Sequence, residues 1–330
     1  MIGICQFGAG RIGQIHAANA AASGRAELKY VVDVNADAAA ELAGKYQAST
    51  ASIEEALRDP DIKAVIIASS TDTHADLIEA SARAGKAIFC EKPIDLSLAR
   101  VEQAIEVIED TGVTTLIGFN RRFDPTMGSV CRAARSGAVG DLETVIITSR
   151  DPSPPPVSYV KVSGGLFRDM MIHDLDLAHW ILGEVPVEVY AKGSCLIDPN
   201  IGAAGDIDTA AVTLTSASGV LVHITNNRRA AYGYDQRLEV FGSKGMVKAD
   251  NRSSTAVTTI TEHGVISDKP LHFFLERYED AYKAEMAHFL DCIEGKAKPM
   301  ATMQDGRVAL ILADAAQQSV ETGLPVKISQ

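Results

Sequence analysis

Apolar and polar positions follow two different rhythms along this chain. Through the first third, short apolar runs at 2–7, 27–32, 63–68, 86–89 and 113–118 alternate with stretches of helical period at 12–23, 36–46, 74–84 and 97–110. Ser52 with Glu55 forms a capping box and predicts a short helix over 52–58. Strand–helix–strand repetition at this spacing implies parallel strands joined by right-handed crossovers, hence a doubly wound sheet. After Phe119 the rhythm changes. A helix is predicted over 125–136, broken by Gly137 to Gly140, and a strand at 143–149 runs into the stiff segment Asp151-Pro152-Ser153-Pro154-Pro155-Pro156. Beyond a helix over 165–182, strand-like runs at 187–195, 208–215, 219–226, 236–241, 245–249 and 256–261 follow through tight turns, as in a mainly antiparallel sheet. Helical periods return at 275–294 and 304–321. The change of pattern divides the chain into domains 1–122 and 123–330.

Composition narrows the partners. With 330 residues, 46% hydrophobic and 22% charged, the chain can bury two cores. Its 31 Lys+Arg stand against 43 Asp+Glu, a net charge of −12. Nucleic acid or an anionic membrane would demand a basic footprint, and none is visible. Cys5, Cys90, Cys131, Cys195 and Cys292 are odd in number and scattered without a CxxC pair. That fits reduced thiols in a cytoplasmic protein, and neither a disulfide framework nor a zinc cluster. No basic leader precedes the first apolar run, and the uncharged stretch Thr209 to Asn227 alternates like two strands and a turn. Neither an export signal nor a membrane helix is expected.

Gly8-Ala9-Gly10-Arg11-Ile12-Gly13 fits GxGxxG between an apolar strand and a helix, and Asp33 lies twenty residues beyond Gly13 at the end of the second strand. Gly8 permits the tight turn, Gly10 lets backbone approach a pyrophosphate, and Gly13 allows close helix–strand contact. The helix N-terminus offers N–H donors to phosphates. A carboxylate at 33 accepts from both ribose hydroxyls and repels a 2′-phosphate, which favours NAD over NADP.

Cys90-Glu91-Lys92-Pro93 closes an apolar strand, so Lys92 points toward the ligand crevice, where it can stabilise a developing alkoxide; taken alone, a lysine before proline at a strand end is more often a surface residue. Further on, Asp169, His173, Asp176 and Trp180 fall at i, i+4, i+7 and i+11, one face of a helix. Asp169 can then fix the tautomer of His173 and stabilise its imidazolium. The stripe reads equally as a solvated polar face, although it lacks the Lys, Glu and Arg usual on one. No HExxH or paired ExxH motif is present, and Glu285 with His288 is a single pair, so no metal is expected.

Taken together, the glycine motif with His16, Thr71-Asp72-Thr73-His74, Glu91-Lys92-Pro93 and the Gly164-Gly165…Asp169…His173…Asp176 segment resemble the glucose–fructose oxidoreductase / inositol dehydrogenase family in order and spacing. The resemblance spans essentially the whole chain. Within the family, Gly118-Phe119-Asn120-Arg121-Arg122-Phe123-Asp124, Ser149-Arg150-Asp151-Pro152 and Arg229-Ala230-Ala231-Tyr232-Gly233-Tyr234-Asp235-Gln236 are similar to segments of inositol 2-dehydrogenases. The resemblance implies an N-terminal Rossmann dinucleotide-binding domain plus a C-terminal α/β domain with an open, mainly antiparallel sheet. It also implies that helix 304–321 packs back on the first domain and that the chain assembles as a homo-oligomer, a tetramer. The implied reaction is NAD-dependent oxidation of a ring hydroxyl of myo-inositol to the inosose. Lys92, Asp169 and His173 are the implied catalytic trio, with His173 as base, Lys92 on the same oxygen and Asp169 in support. Gly8, Gly10, Arg11, Ile12, Gly13, Asp33, Thr71, His74, Glu91 and Lys92 are implied to line the cofactor. Asn120, Arg121, Ser149, Asp151 and Tyr234, with Asp169 and His173, are implied to meet a small neutral polyol. Some relatives carry Met at position 120 and His and Asn at 149 and 151, so one wall of this pocket is more polar. A pyranose or another inositol isomer is the alternative substrate, and a non-catalytic dinucleotide sensor the alternative role.

Overall fold

The computed structural model describes residues 1–328. The chain forms two compact units, one of residues 1–123 with 281–307, the other of residues 124–280 with 308 onward.

In the first unit, β1 (Ile2–Phe7), β2 (Ala26–Val32), β3 (Ser49–Thr50), β4 (Ile62–Ile67), β5 (Ala87–Glu91) and β6 (Thr115–Gly118) form a sheet in the order β3-β2-β1-β4-β5-β6. Every pairing is parallel. Between the strands run α1 (Arg11–Ala22), α2 (Ala36–Lys45), α3 (Ile53–Arg58), α4 (His74–Arg83) and α5 (Leu98–Thr111). Strands covered on both faces must be apolar almost throughout, and Ile4, Cys5, Val65, Ile66, Ile67, Ile88, Phe89 and Cys90 are all fully buried. The expected capping box holds α3: Ser52 Oγ accepts from Glu55 N at 3.2 Å, and Glu55 Oε2 accepts from Ser52 N at 2.8 Å. The strand order reverses between β1 and β4, and a ligand crevice opens at such a switch point, beyond the carboxyl ends of the strands.

The second unit contains β7 (Leu142–Arg150), β8 (Glu188–Ser194), β9 (Thr209–Thr215), β10 (Leu221–Asn227), β11 (Asp235–Gly242), β12 (Gly245–Ala249), β13 (Thr258–Thr261), β14 (Gly264–Ser267) and β15 (Val326–Lys327). Seven of these form one sheet, β12-β11-β7-β10-β9-β8-β15, in which only β7 and β10 pair parallel. The expected strand at 256–261 does not join it; β13 pairs with β14 alone as a separate hairpin. Side chains alternate across the large sheet: Val222 and Ile224 are buried, while Leu221, His223 and Thr225 face outward. The buried face packs with α6 (Pro125–Arg135) and α8 (Ile172–Leu182), and two shorter helices, α7 (Val157–Val160) and α9 (Pro199–Ala203), lie in loops.

The helix expected over 165–182 begins as a π turn, Phe167–Met171, and becomes α-helical from Ile172. The helix expected over 275–294 divides at Tyr278 into α10 (Phe274–Arg277) and α11 (Glu279–Ile293). The last helix, α12 (Met303–Thr322), starts in the first unit and continues in the second, where Val308, Leu312, Ala313, Ala315 and Ala316 join the core. Asp124 caps α6 by accepting from Thr126 N and Met127 N, and the same carboxylate accepts Arg277 Nη1 at 2.6 Å. No helix among the described residues is long and apolar enough to cross a membrane. None of the five cysteines is paired in a disulfide among the described residues, and no His/Cys/Asp/Glu cluster among them could hold a metal.

Candidate active site

The glycine motif has the geometry a dinucleotide requires. Gly8, at the end of β1, has φ +101°, and a Cβ there would lie 2.3 Å from Ala68 O, beyond β4. A Cβ on Gly13 would lie 2.3 Å from Gly8 O, so only hydrogen lets α1 approach the turn. Gly10 is different: nothing lies within 4 Å of where its Cβ would be, and its side is open. Gly10 is also the N-cap of α1, with no side-chain cap and no acidic residue in the first turn. A pyrophosphate fits this helix end by charge and by the hydrogen-bonding capacity of the backbone. Arg11 is exposed and Ile12 half-buried beside it. Asp33 Oδ2 accepts from Ala9 N at 2.7 Å and Oδ1 from Asn35 N at 2.7 Å, so the carboxylate braces the glycine turn at the end of β2. Thr71 opens a 3₁₀ turn, Thr71–Thr73, that leads into α4.

At the end of β5, Glu91 Oε1 lies 2.7 Å from Nε2 of the fully buried His16 on α1, and Glu91 Oε2 accepts from Lys92 N at 3.3 Å. The Lys92–Pro93 peptide is cis. His74, also buried, places Nδ1 2.8 Å from Pro93 O and Nε2 3.1 Å from Ser69 O. Burial pushes its imidazole pKa down, and the two carbonyls only partly oppose this. Nearby, Glu285 of α11 is wholly buried with no hydrogen-bond partner for either oxygen among the described residues. Burial and then the charge of Glu91 push its carboxyl well above the usual range. Asn120 and Arg121 follow β6 in a buried turn, and Asn120 Oδ1 meets no donor among the described residues. Lys92, Asn120 and Arg121 thus belong to the first unit, at the ends of β5 and β6.

Asp169, His173, Ser149, Asp151 and Tyr234 belong to the second. The π turn carrying Asp169 replaces the regular helical spacing expected between it and His173. Asp169 Oδ1 accepts from the Tyr159 hydroxyl at 2.9 Å, and Oδ2 lies 3.5 Å from Nη1 of Arg228. Arg228 is buried and also faces Asp206 Oδ2 at 3.6 Å. Of the expected polar stripe, Asp169, His173 and Trp180 are half-buried, whereas Asp176 is buried. Ser149 is fully buried, and its hydroxyl donates to Asp174 Oδ1 at 2.6 Å. Asn226 Nδ2 donates to Asp174 Oδ2 at 2.8 Å, and the Tyr278 hydroxyl donates to Gln236 Oε1 at 3.2 Å. Tyr234 meets Tyr278 edge-on, with centroids 6.0 Å apart. Asp151, just after β7, donates its N–H to Asn227 O at 2.9 Å. Arg228, Asp174 and Asn226 were not singled out from the sequence. The one available signal was the pair Asn226-Asn227 closing a strand in which apolar and polar residues otherwise alternate.

Residues 2–119 match the oxidoreductase family with an NAD-binding Rossmann fold, and residues 129–248 match the GFO/IDH/MocA C-terminal domain. The inositol 2-dehydrogenase of Rhizobium meliloti (strain 1021) is 49% identical over 324 residues, 98% of each chain. A myo-inositol dehydrogenase structure from Corynebacterium glutamicum superimposes with a TM-score of 0.95 at 42% identity, covering 100% of this chain and 99% of that one. The scyllo-inositol dehydrogenase of Lactobacillus casei, solved with NAD(H) and scyllo-inositol, matches with a TM-score of 0.91 at 30% identity over 99% of each chain.

Proposed function

The chain belongs to the GFO/IDH/MocA family of oxidoreductases, and on that premise we propose that it oxidises a ring hydroxyl of myo-inositol to the inosose with NAD. The bound nicotinamide supplies the hydride acceptor for the carbinol carbon. His173 removes the hydroxyl proton, Lys92 donates a hydrogen bond to the same oxygen, and Asp169 orients His173 and meets a neighbouring hydroxyl. Gly8, Gly10, Arg11, Ile12 and Gly13 hold the pyrophosphate, Asp33 the ribose, and Thr71 and Glu91 the rest of the cleft, whereas His74, enclosed with both ring nitrogens on backbone carbonyls, stands behind it. The Asp33 carboxylate supports NAD over NADP, because it would repel a 2′-phosphate. Asn120, Arg121, Ser149, Asp151 and Tyr234 surround the polyol. The unmet Asn120 Oδ1 supports this assignment, since a buried acceptor needs a donor such as a substrate hydroxyl. The single observation that carries the reading is near full-length similarity to proteins named for inositol oxidation.

The protein works as a cytoplasmic homotetramer. The outward face of the large sheet supports assembly, for Ile146, Leu221, Phe241 and Met246 are exposed on strands whose other face is core.

The test is NADH formation by the purified protein over a panel of cyclitols and aldoses, with NAD and NADP in parallel. We expect activity on myo-inositol with NAD and, in Lys92→Ala and His173→Ala, a loss of at least ~100-fold in kcat with NAD binding retained. A pyranose as the preferred substrate would replace the inositol assignment. Binding of NAD without turnover of any polyol or sugar would make the protein a sensor.

A further inference from the structure

The residues on either side of Lys92 are both held by buried imidazoles. Glu91 is fixed through its side chain by His16, and Pro93 through its carbonyl by His74. His74 sits at the start of α4, wholly enclosed, with Glu91 and Lys92 as the charged groups that influence it. Both its ring nitrogens face carbonyl oxygens, Pro93 O at 2.8 Å and Ser69 O at 3.1 Å. A carbonyl can only accept, and a neutral imidazole has one N–H to give, so the ring can hold only one of the two while it remains neutral. Burial favours that neutral form, and the shorter contact is to Pro93.

We propose that His74 is a positioning residue for Lys92: its Nδ1–H holds the Pro93 carbonyl and so sets where the lysine leaves the end of β5. The ring acts on the reacting groups through this backbone atom and touches neither substrate nor cofactor. The idea rests on the reading of Lys92 as the lysine of a dehydrogenase site. An error of about 1 Å in placing such a group costs up to two orders of magnitude in rate, so one fixed carbonyl can matter.

Asn offers an amide donor where Nδ1 stands, and Gln offers one where Nε2 stands. The test compares His74→Asn with His74→Gln in the full chain. We expect His74→Asn to keep kcat within ~3-fold of the parent and His74→Gln to lose ~10-fold or more, both binding NAD within ~3-fold of it. Reductive methylation of Lys92, followed by mass spectrometry, should proceed at the parental rate in the Asn variant and change at least ~3-fold in the Gln variant. Equal losses in both variants, or a Gln variant matching the parent in turnover and labelling, would overturn the proposal. If the parent turns over no polyol or sugar, the functional reading fails and the labelling alone decides. If neither variant folds, the imidazole nitrogen shifts of the parent decide: a proton on Nδ1 is expected, and one on Nε2 would refute it.

Discussion

The two units solve the same problem, holding polar groups beneath a site, in opposite ways. In the second unit every buried carboxylate with resolved contacts is matched by donors. Asp124 takes Arg277 and two helix N–H groups, and Asp174 takes Ser149 and Asn226. Burial opposes ionisation of Asp208, yet the N–H groups of Leu196, Ile197 and Asp198 and the Thr209 hydroxyl hold its pKa below the usual range. Burial likewise opposes Asp235, and Arg237, Tyr232 and Asn251 outweigh it. The first unit matches Glu91 with His16 and Asp305 with Arg122, but relies more on backbone and on missing side chains: Gly8 and Gly13 make room, and the open end of α1 presents N–H groups. One of its buried acids, Glu285, has no matching donor among the described residues. The difference implies that charge substitutions hurt the second unit most, and added atoms the first.

The sharpest way to break this contrast is Arg277→Met. Arg277 and Asp124 are both about 1% exposed, so the variant strands a buried carboxylate. We expect a loss of ~3–5 kcal/mol in urea unfolding. A loss under ~1 kcal/mol would mean that the helix cap alone satisfies Asp124, and that the second unit does not depend on matched charge.

The next largest effect should come from a single methyl in the first unit. Gly8→Ala forces a Cβ onto Ala68 O at a positive φ, and we expect ~3 kcal/mol of strain, seen as a lower Tm and weak NAD binding. Gly10→Ala is the control, since its methyl meets nothing in the protein and protrudes where phosphate would approach. It should leave the Tm of the apo chain unchanged and weaken NAD about tenfold. Equal loss of Tm in both variants would remove the distinction between a glycine needed by the fold and one needed by the ligand.

This contrast also explains what could be read beforehand. The first unit's site was legible because its requirements are local: three glycines at fixed spacing, a helix end, and Asp33 after the next strand. Position along the chain there nearly equals position in space. The second unit's site joins β7, α8, β10, β11 and the end of α10 through Ser149, Asp174, Asn226, Gln236 and the C-cap Tyr278, which are far apart in sequence. No periodicity reports such a network. The π turn was hidden for a related reason, because nothing in Phe167-Arg168-Asp169-Met170-Met171 announces the extra residue in the turn. The hairpin β13–β14 escaped because alternation predicts a strand without saying which strand it joins.

The exception in the first unit yields the smallest and most diagnostic effect. Glu285 lacks donors among the described residues, and burial followed by the neighbouring Glu91 charge raises its carboxyl well above the ordinary 4.5. The folded chain therefore keeps a proton that the unfolded chain releases near that ordinary value. Between the two values the native state binds more protons, so stability falls as pH rises; below 4.5 the group contributes no slope. Glu285→Gln removes the titration while keeping the shape. Its Tm should match the parent's near pH 5 and exceed it by a few degrees at pH 8, ~1–2 kcal/mol for a protein of this size. A gap that stays constant with pH would show that Glu285 ionises normally in the fold. The first unit would then contain a donor for it after all, and the two units would differ less than their hydrogen bonds imply.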